Sequence, residues 1–269
     1  MYSVRPTSDI RTTQTFKFIV ARTPFSVVII TLNEERNLGK CLASVKFADE
    51  IVVVDSGSTD KTLEIAKNAG ATTISQTWLG YGEQKQLGVD QASNDWVLCI
   101  DADETISEQL RHSILAVLEE PRMNAYEMPR RNRFLGRWLR HGEGYPDMNL
   151  RFFNRRYAKW SDDAVHEKVI ANCAVGKLAG DLLHESEQGI QDYLAKQNRY
   201  TSLQAQIMFD AGKRVSVVKL LTSPVFRFIK FYLVRLGFVD GLPGLVHILI
   251  GCMNSFFKYA KLIEKWKNT

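Results

Sequence analysis

Short runs of β-branched apolar residues without polar alternation recur along the first hundred residues. They lie at 25–30, 51–54 and 96–100. Uninterrupted apolar runs of this length are typical of parallel strands in a sheet that is covered on both faces. The pattern therefore predicts three buried parallel strands.

Segments typical of helices separate and follow these runs. They span 35–45, 60–69, about 82–92 and 108–119, and Ser107 is placed to cap the last of them. Alternation of strands and helices is typical of an α/β domain. We expect a doubly wound α/β domain, followed from about residue 191 by a helical region that continues with breaks to the C-terminus.

The residues that directly follow each predicted strand are polar and rich in carboxylates. Thr-Leu-Asn-Glu-Glu follows the first strand at 31–35, Asp-Ser-Gly-Ser-Thr-Asp the second at 55–60, and Asp-Ala-Asp-Glu the third at 101–104. Open α/β sheets bind their ligands outside the carboxyl ends of the strands. We therefore expect three acidic clusters to converge on one edge of the sheet.

Asp101 and Asp103 are candidates for binding a metal. Side chains two residues apart on an extended backbone point to the same side, and two carboxylates suit a hard divalent cation such as Mg²⁺ or Mn²⁺. A calcium-binding EF-hand loop is excluded, because Ile106 and His112 stand where that loop needs Gly and Glu. The alternative interpretation is a solvated acidic turn that caps the next helix.

The segment 55–60 also has two interpretations. As a simple turn, it would use Ser58 or Thr59 to cap the helix that follows. As a ligand site, it would use Asp55, which ends a hydrophobic strand where a carboxylate can accept hydrogen bonds from a nucleobase or ribose. No phosphate-binding loop of the G-x-x-x-x-G-K type occurs, and no glycine-rich turn follows the first strand. Kinase and dehydrogenase interpretations are therefore weakened.

As a set, the three strand-end motifs resemble those of glycosyltransferase family 2. That family carries T-x-N-E, V-V-D-S-x-S-x-D and D-x-D on a GT-A fold, and here these motifs stand at 31–34, 53–60 and 101–103. The stretch 96–104 is especially similar to bacterial enzymes that build the lipopolysaccharide inner core, including β-glucosyltransferases. The resemblance runs from about residue 25 to the C-terminus and is strongest before residue 104.

The resemblance implies roles for individual residues, and none of these roles follows from spacing alone. Asp55 and Asp101 would contact the nucleoside, and Asp103 would bind the metal. His184 lies where family members often place a histidine that reaches the metal or the diphosphate, although a lone histidine is more often structural. The remaining residues implied for the donor pocket are Thr31, Asn33, Glu34 and Lys85.

An inverting transferase needs a base to take the proton from the acceptor hydroxyl, and a carboxylate usually serves. Val-His-Glu at 165–167 fits the later acidic motif of the family, which makes Glu167 the candidate base. Asp162 and Asp163 are the alternatives, because the sequence departs from the commoner Glu-Asp form of the motif. A surface ion pair of Glu167 with Lys168 is the structural alternative.

Two further groups of residues have both a ligand-binding and a structural interpretation. Arginines suit the phosphates of an acceptor or donor, but they are equally common in solvated loops. Aromatic side chains can stack on sugar rings, but they more often serve packing. The arginines are Arg130, Arg131, Arg133 and Arg151, and the aromatic residues are Trp138, Tyr145 and Trp160.

The C-terminal region combines basic charge with apolar runs. Residues 213–269 contain ten Lys or Arg and two acidic side chains, so this segment is +8 in a chain of net charge +5. Residues 223–236, opened by Ser223 and Pro224, have the pattern of a membrane-surface helix. The uncharged run 241–257 is shorter than the ~20 residues of a span and contains Pro243, Gly244 and Gly251. Interfacial or re-entrant contact is therefore favoured over a core helix.

These features predict an N-terminal extension at 1–24, a catalytic domain at 25–190 and a helical, membrane-associating region at 191–269. The cysteines are scattered singly, which fits a reducing compartment. We expect a peripheral protein at the cytoplasmic face of the inner membrane. Nucleic acid is not an expected partner, because the basic residues are interleaved with apolar ones.

The resemblance implies inverting transfer of a hexose from a UDP-sugar to a lipid-linked core oligosaccharide. The donor would be UDP-glucose, and the acceptor would be a heptose or a related sugar of the lipopolysaccharide inner core. Two alternatives remain open. One is a transferase that loads sugar onto a polyprenyl phosphate, and the other is a non-catalytic nucleotide-sugar-binding protein at the membrane.

Overall fold

The structure is a computed structural model that describes residues 22–162, 167–185 and 189–268. Most of the predicted N-terminal extension lies outside these residues. The strands are β1 Phe25–Thr31, β2 Glu50–Asp55, β3 Thr72–Ser75, β4 Trp96–Asp101, β5 Glu104–Ile106, β6 Ala125–Phe134, β7 Arg137–Trp138, β8 Asp147–Asn154, β9 Ala158–Trp160, β10 Val169–Ala171, β11 Val175–Lys177 and β12 Leu182–His184. The α-helices are α1 Leu38–Ser44, α2 Thr62–Asn68, α3 Tyr81–Gln91, α4 Glu108–Glu119, α5 Ile190–Asp210, α6 Val217–Phe228 and α7 Gly241–Lys267.

The first half of the main sheet is parallel, as the apolar runs predict. Its strand order is β3-β2-β1-β4, and β3 is the strand that the sequence pattern did not predict. Beyond β4 the sheet becomes mixed in the order β8-β6-β12-β5, with β8 antiparallel to both of its neighbours. The predicted α/β class is confirmed, and the mixed half completes the edge at which the polar clusters lie.

Helices cover both faces of this sheet, as expected for a doubly wound domain. On one face, α1, α2 and α4 pack against alternate residues of β1 and β4, including Val27 and Leu98. On the other face, α3 contributes Val89 to a cluster with Val28 and Val54. Because both faces of the central strands are buried, these strands have no polar alternation.

The turn after β2 differs from the sequence expectation, whereas the start of α4 agrees with it. Ser107 Oγ accepts a hydrogen bond from the Leu110 amide, so the predicted cap of α4 is confirmed. Neither Ser58 nor Thr59 caps α2, so the interpretation of this segment as a simple turn capped by one of them was wrong. The Ser58 hydroxyl instead donates to Asp55 Oδ1 at 2.5 Å. It is Asp60 that accepts a bond from the amide of the first helical residue, Thr62.

The C-terminal helices have boundaries that differ from the sequence expectation. The predicted start of a helix at Ser223 was wrong, because α6 begins earlier, where Ser216 accepts a hydrogen bond from the Lys219 amide. Pro224 therefore lies inside α6. A π-helix at Ile229–Val234 and a 3₁₀ turn at Gly237–Asp240 lead to α7.

Helix α7 continues through the residues that were expected to interrupt it. Pro243 occupies its first turn, where the missing N–H would have no partner within the helix. Gly251 provides space, because a Cβ there would lie 2.3 Å from Glu143 Oε2 and 3.0 Å from Arg227 Nε. The stretch Gly237–Lys267 is long and apolar enough to cross a membrane by length and composition alone, and 33% of its most apolar window is buried in the protein.

Polar contacts fasten the helical region to the sheet domain. Asp240, which is buried, accepts hydrogen bonds from the amides of Arg140 and His141 at 2.8 and 2.7 Å. The Arg227 guanidinium pairs with Glu143 beside Gly251. The beginning of α7 and the end of α6 are thus both tied to the loop between β7 and β8.

We expect Gly88→Ala to destabilise the protein, because α3 lies very close to β1 and β2. A Cβ at residue 88 would lie 2.4 Å from Val28 Cγ1 and 3.0 Å from Val54 Cγ2. Overpacking of this kind typically costs about 1–3 kcal/mol of unfolding free energy. Gly39→Ala in α1 is the matched control, because its nearest neighbour would be 4.0 Å away. Urea unfolding of both variants tests this, and equal stabilities would contradict the close approach of α3.

Candidate active site

The strand ends meet at one edge of the sheet, as predicted. In the pairing of β1 with its neighbours, Thr31 stands opposite Asp55, and Ile30 stands opposite Asp101. A cleft of about 1570 Å³ opens along this edge. Of the residues predicted for the donor, the metal and the base, those that line it are Thr31, Glu34, Asp101, Asp103, Glu167 and His184, and the candidate arginines Arg130, Arg133 and Arg151 line it as well.

Asp101 ends β4 between two cations. Its Oδ1 lies 2.9 Å from Lys85 Nζ, and its Oδ2 lies 3.5 Å from Arg151 Nη2. Burial alone would raise the pKa of Asp101, but Lys85 and Arg151 hold this pKa well below its usual value. Lys85 and Arg151 therefore favour the carboxylate form of Asp101 on the cleft wall.

Lys85 joins Asp101 to the candidate base. The Lys85 side chain is 1% exposed, and its Nζ lies 3.7 Å from Glu167 Oε1. The ammonium group also packs 4.8 Å from the centre of the Trp160 ring. Glu167 thus pairs with the buried Lys85 of α3. The structural alternative suggested by the sequence was an ion pair with Lys168 at the surface. The role of Glu167 as a base stays a prediction.

The alternatives to Glu167 have different positions. Asp162 is exposed and does not line the cleft. Asp163 lies outside the described residues. Of the candidate bases within the described residues, Glu167 is therefore the one that lines the cleft.

Asp103 and His184 lie side by side across the pairing of β5 with β12. His184 Nε2 is 3.1 Å from Asp103 Oδ2, and His184 Nδ1 is 2.7 Å from Asn132 Oδ1 on β6. Burial opposes protonation of His184, but its contact with Asp103 raises its pKa above the usual value. The same contact brings together a carboxylate oxygen and an imidazole nitrogen, which are donors suited to Mn²⁺ or Mg²⁺.

This donor set fits one divalent cation with further ligands from outside the protein. Two protein ligands leave coordination positions open, and Mg²⁺ usually retains waters and binds phosphates of the substrate. In residues 22–162, 167–185 and 189–268, no cluster of three or more His, Cys, Asp or Glu suited to a metal is present. A cation at this point would therefore share its coordination with a ligand such as a diphosphate.

Three of the residues implied for the donor site are not on the cleft wall: Lys85, which is buried in contact with Asp101 and Glu167, and the strand-end residues Asp55 and Asn33. Asp55 is fully buried, and its Oδ2 accepts hydrogen bonds from the amides of Gly57 and Ser58, both at 2.9 Å. Asn33 has a φ of 55° and accepts a bond from the Thr59 amide through Oδ1 at 2.8 Å. Both residues shape the turns at the strand ends, and a direct contact with a nucleoside stays a prediction.

Thr31 and Glu34 do reach the cleft. Thr31 Oγ1 is buried and has no hydrogen-bond partner among the described residues. The Glu34 amide donates to Thr62 Oγ1, and a Glu34 carboxylate oxygen accepts from Asn37, so the side chain is held at the start of α1. Thr31 is thus the donor-pocket candidate with unused hydrogen-bonding capacity.

The candidate phosphate-binding arginines are already paired with carboxylates. Arg130 pairs with Asp147 at 2.8 Å and lies 3.6 Å from buried Glu104. Arg131 pairs with Asp181 at 2.8 Å. Arg133 pairs with Glu185, and Arg151 lies beside Asp101. These contacts favour a structural role in cross-linking β6, β8 and the strand ends.

The candidate stacking residues also have structural contacts. Trp160 is 3% exposed and lies beneath Lys85 and Arg151. Tyr145 stacks with Arg131. The exposed aromatic residues on the cleft wall are instead Trp78 and Tyr81, whose rings form an edge-to-face pair 4.7 Å apart. The sequence offered no signal for this pair, because exposure depends on the position of the loop before α3.

The C-terminal helices supply the opposite wall of the cleft, which the sequence did not predict. Burial, and then the negative charge of Glu167, raise the pKa of Tyr200, so α5 lies within electrostatic reach of the candidate base. The helical residues on this wall include Tyr193, Lys196, Gln197, Tyr200, Asn254 and Lys258. The cleft therefore lies between the strand ends on one side and α5 and α7 on the other.

Comparison with known proteins agrees with this architecture. The family model described as glycosyl transferase family 2 matches residues 26–176. A glycosyltransferase of Rickettsia typhi is 35% identical over 254 residues, which cover 89% of this chain and 86% of that protein. The lipopolysaccharide core biosynthesis glycosyltransferase LpsC of Rhizobium meliloti is 32% identical and covers 92% and 94% of the two chains.

Among solved structures, Staphylococcus aureus TarS 1–349 in complex with UDP-GlcNAc covers 91% of this chain and 92% of that chain, with 15% identity and a TM-score of 0.47. The family assignment rests on the sequence matches, which span the sheet domain and, for the full-length relatives, the helical region as well. Together with the α/β sheet and its cleft, they establish the GT-A fold that the motifs predict. The chain belongs to glycosyltransferase family 2.

Proposed function

We propose that this glycosyltransferase moves glucose from UDP-glucose to a heptose or related sugar of a lipopolysaccharide inner core, with inversion of configuration. The observation that carries the proposal is the placement of Glu167 in the same cleft as Asp101, Asp103 and His184. The similarity to LpsC supports the acceptor class. The resemblance of 96–104 to β-glucosyltransferases supports glucose as the sugar.

The donor nucleotide would occupy the strand-end side of the cleft. Asp101 is held there as a carboxylate by Lys85 and Arg151, and it can accept hydrogen bonds from the nucleoside. Thr31 Oγ1 offers a further unpaired polar atom on the same wall. These contacts would fix the orientation of the donor, so that its sugar points toward Glu167.

Asp103 and His184 would hold the divalent cation next to the diphosphate. Asn132 accepts a hydrogen bond from Nδ1 of His184, which leaves Nε2 facing Asp103 and the cleft. A cation bound there would neutralise the negative charge that develops on the departing UDP.

Glu167 would act as the general base in a single displacement. Its carboxylate takes the proton of the acceptor hydroxyl as that oxygen attacks the anomeric carbon from the side opposite the departing UDP. Lys85 would hold the Glu167 side chain in the cleft through the contact at 3.7 Å. One displacement from the opposite side inverts the anomeric configuration.

We also propose that α6 rests on the cytoplasmic face of the inner membrane. In α6, all of which the structure describes, no residue is buried. Val218 and Phe226 are 70% and 69% exposed, and Leu221 is 58% exposed. An apolar surface of this kind beside basic residues is typical of helices that lie in the membrane interface.

The proposed reaction is tested by UDP release from a panel of UDP-sugars with Mn²⁺ and purified core lipid. We expect one donor to be consumed only when the core lipid is present. Turnover with polyprenyl phosphate, and product extraction into organic solvent, would favour the polyprenyl-phosphate alternative. Binding of UDP without turnover of any donor would favour the non-catalytic alternative.

We expect Glu167→Gln to lower kcat at least about 100-fold, because removal of a general base typically costs 10²–10⁴-fold. The affinity for UDP, measured by calorimetry, should stay unchanged, since the amide has the same shape. Asp162→Asn is the matched control and should retain full activity, because Asp162 is exposed outside the cleft. Retention of more than about a third of the rate by Glu167→Gln would exclude Glu167 as the base.

We expect Asp103→Asn and His184→Ala each to weaken Mn²⁺ binding at least about tenfold, because each removes one of two protein ligands. Free Mn²⁺ is measured by electron paramagnetic resonance in the presence of UDP. Asn149→Ala, which changes another polar residue of the cleft wall, should leave Mn²⁺ affinity unchanged. Unchanged affinity in both ligand variants would place the metal elsewhere.

We expect the double variant Val218→Glu/Phe226→Glu to lose at least about tenfold in membrane partitioning. Each apolar side chain contributes roughly 1.5–3 kcal/mol when it leaves water. Flotation with vesicles containing anionic phospholipid gives the bound fraction. The control Ile170→Glu/Val175→Glu makes the same change at exposed apolar residues of β10 and β11 and should bind normally. If both double variants lost membrane binding equally, the loss would come from the added negative charge, and the proposed contact of α6 with the membrane would be contradicted.

A further inference from the structure

The cations on the cleft wall fall into two groups. Four of them, among the described residues, pair with a carboxylate: Arg130 with Asp147, Arg133 with Glu185, Arg151 with Asp101, and Arg227 with Glu143. Lys196 of α5 and Lys258 of α7 also line the cleft. Neither lysine forms an ion pair with a carboxylate of residues 22–162, 167–185 or 189–268, although Lys258 Nζ contacts the Tyr259 ring. These lysines therefore leave positive charge available to a ligand.

The two lysines lie on neighbouring helices of the cleft wall. The Asn254 amide of α7 donates to Gln197 Oε1 of α5 at 2.7 Å, which fixes the two helices against each other at this level. Lys196 directly precedes Gln197, and Lys258 lies one helical turn after Asn254. Both residues are half-buried and line the cleft, so an anion bound between them would be partly shielded from bulk water. This arrangement strengthens an interaction with an anion.

The position of the lysines separates them from the donor side of the cleft. They stand on the helical wall, whereas Asp101, Asp103 and His184 stand at the strand ends. Tyr200, one turn after Lys196, lines the same cleft as Glu167, and the negative charge of Glu167 helps to raise the pKa of Tyr200, so this part of the helical wall lies near the candidate base. A volume of about 1570 Å³ exceeds the roughly 300–1,000 Å³ of most small-ligand pockets, which leaves room for a second substrate.

We propose that Lys196 and Lys258 form an anion subsite that binds a phosphate or carboxylate group of the acceptor sugar chain. The inference rests on the proposed function, because it assumes that an acceptor enters between Glu167 and the helices. The ammonium groups would donate charge-assisted hydrogen bonds to the anion and orient the accepting hydroxyl toward Glu167. The subsite would thus select acceptors that carry an acidic group near the hydroxyl.

The test is equilibrium binding of a water-soluble, deacylated core oligosaccharide to the full chain with UDP and Mn²⁺, measured by calorimetry. We expect Lys196→Gln/Lys258→Gln to raise the Kd of the oligosaccharide at least about tenfold and to leave the Kd of UDP unchanged. Lys196→Arg/Lys258→Arg should bind with less than about a threefold loss, since the charge remains. The control Lys46→Gln/Lys159→Gln changes the net charge equally outside the cleft and should bind normally.

Two chemically altered probes distinguish the source of the anion. A dephosphorylated oligosaccharide tests the phosphate, and a methyl-esterified one tests the carboxylate. We expect one of them to bind the unmodified protein as weakly as the intact oligosaccharide binds Lys196→Gln/Lys258→Gln. The proposal is overturned if the variant stays within about twofold of the unmodified protein, if both altered probes bind as tightly as the intact one, or if the unmodified protein binds none of them.

Because this test uses UDP instead of a sugar donor, it reports on the subsite even without turnover. Failure of the proposed function appears as the absence of UDP release by the unmodified protein. Failure of the subsite appears as acceptor affinity that does not depend on the lysines.

Discussion

The buried ammonium group of Lys85 determines how the cleft is built. Removing a charged group from water costs several kcal/mol unless opposite charges surround it. Here Asp101 and Glu167 supply the opposite charge, and the Trp160 ring packs against the cation. Lys85 lies on α3 three residues before Gly88, whose missing side chain lets that helix approach the sheet. The close packing of α3 on the sheet at Gly88 thus also brings Lys85 to Asp101 at the end of β4.

Much of the fold could be predicted from the sequence because its central strands are covered on both faces. The apolar runs identified β1, β2 and β4, and Ser107 identified the start of α4. The half-exposed β3 gave no such signal, and the mixed half of the sheet depends on pairings between residues distant in sequence. The turn after β2 shows why caps are harder to assign, since Ser58 binds back to Asp55 instead of capping α2.

The candidate site was predictable where it follows a strand and unpredictable where it depends on tertiary contacts. Asp101 and Asp103 were identified as strand-end carboxylates, and family resemblance identified His184. Their proximity depends on β12 pairing with β5 and β6, which local patterns do not specify. The contribution of α5 and α7 to the cleft had no sequence signal, because a helical pattern does not reveal which domain surface a helix will cover.

The helical region has an unusual distribution of polarity. Arg227, Lys230 and Arg235 surround the Phe231 ring, and Arg227 reaches inward to Glu143. Apolar side chains of α6 point outward, while α6 packs its other side on α7 through Ser223 and Ser255. If α6 rests on a bilayer, as proposed, the thickness of two helices, roughly 20 Å, would separate the lipid from the reaction centre. Under the proposed membrane contact, the helical layer would set the distance from the lipid at which an acceptor sugar can react.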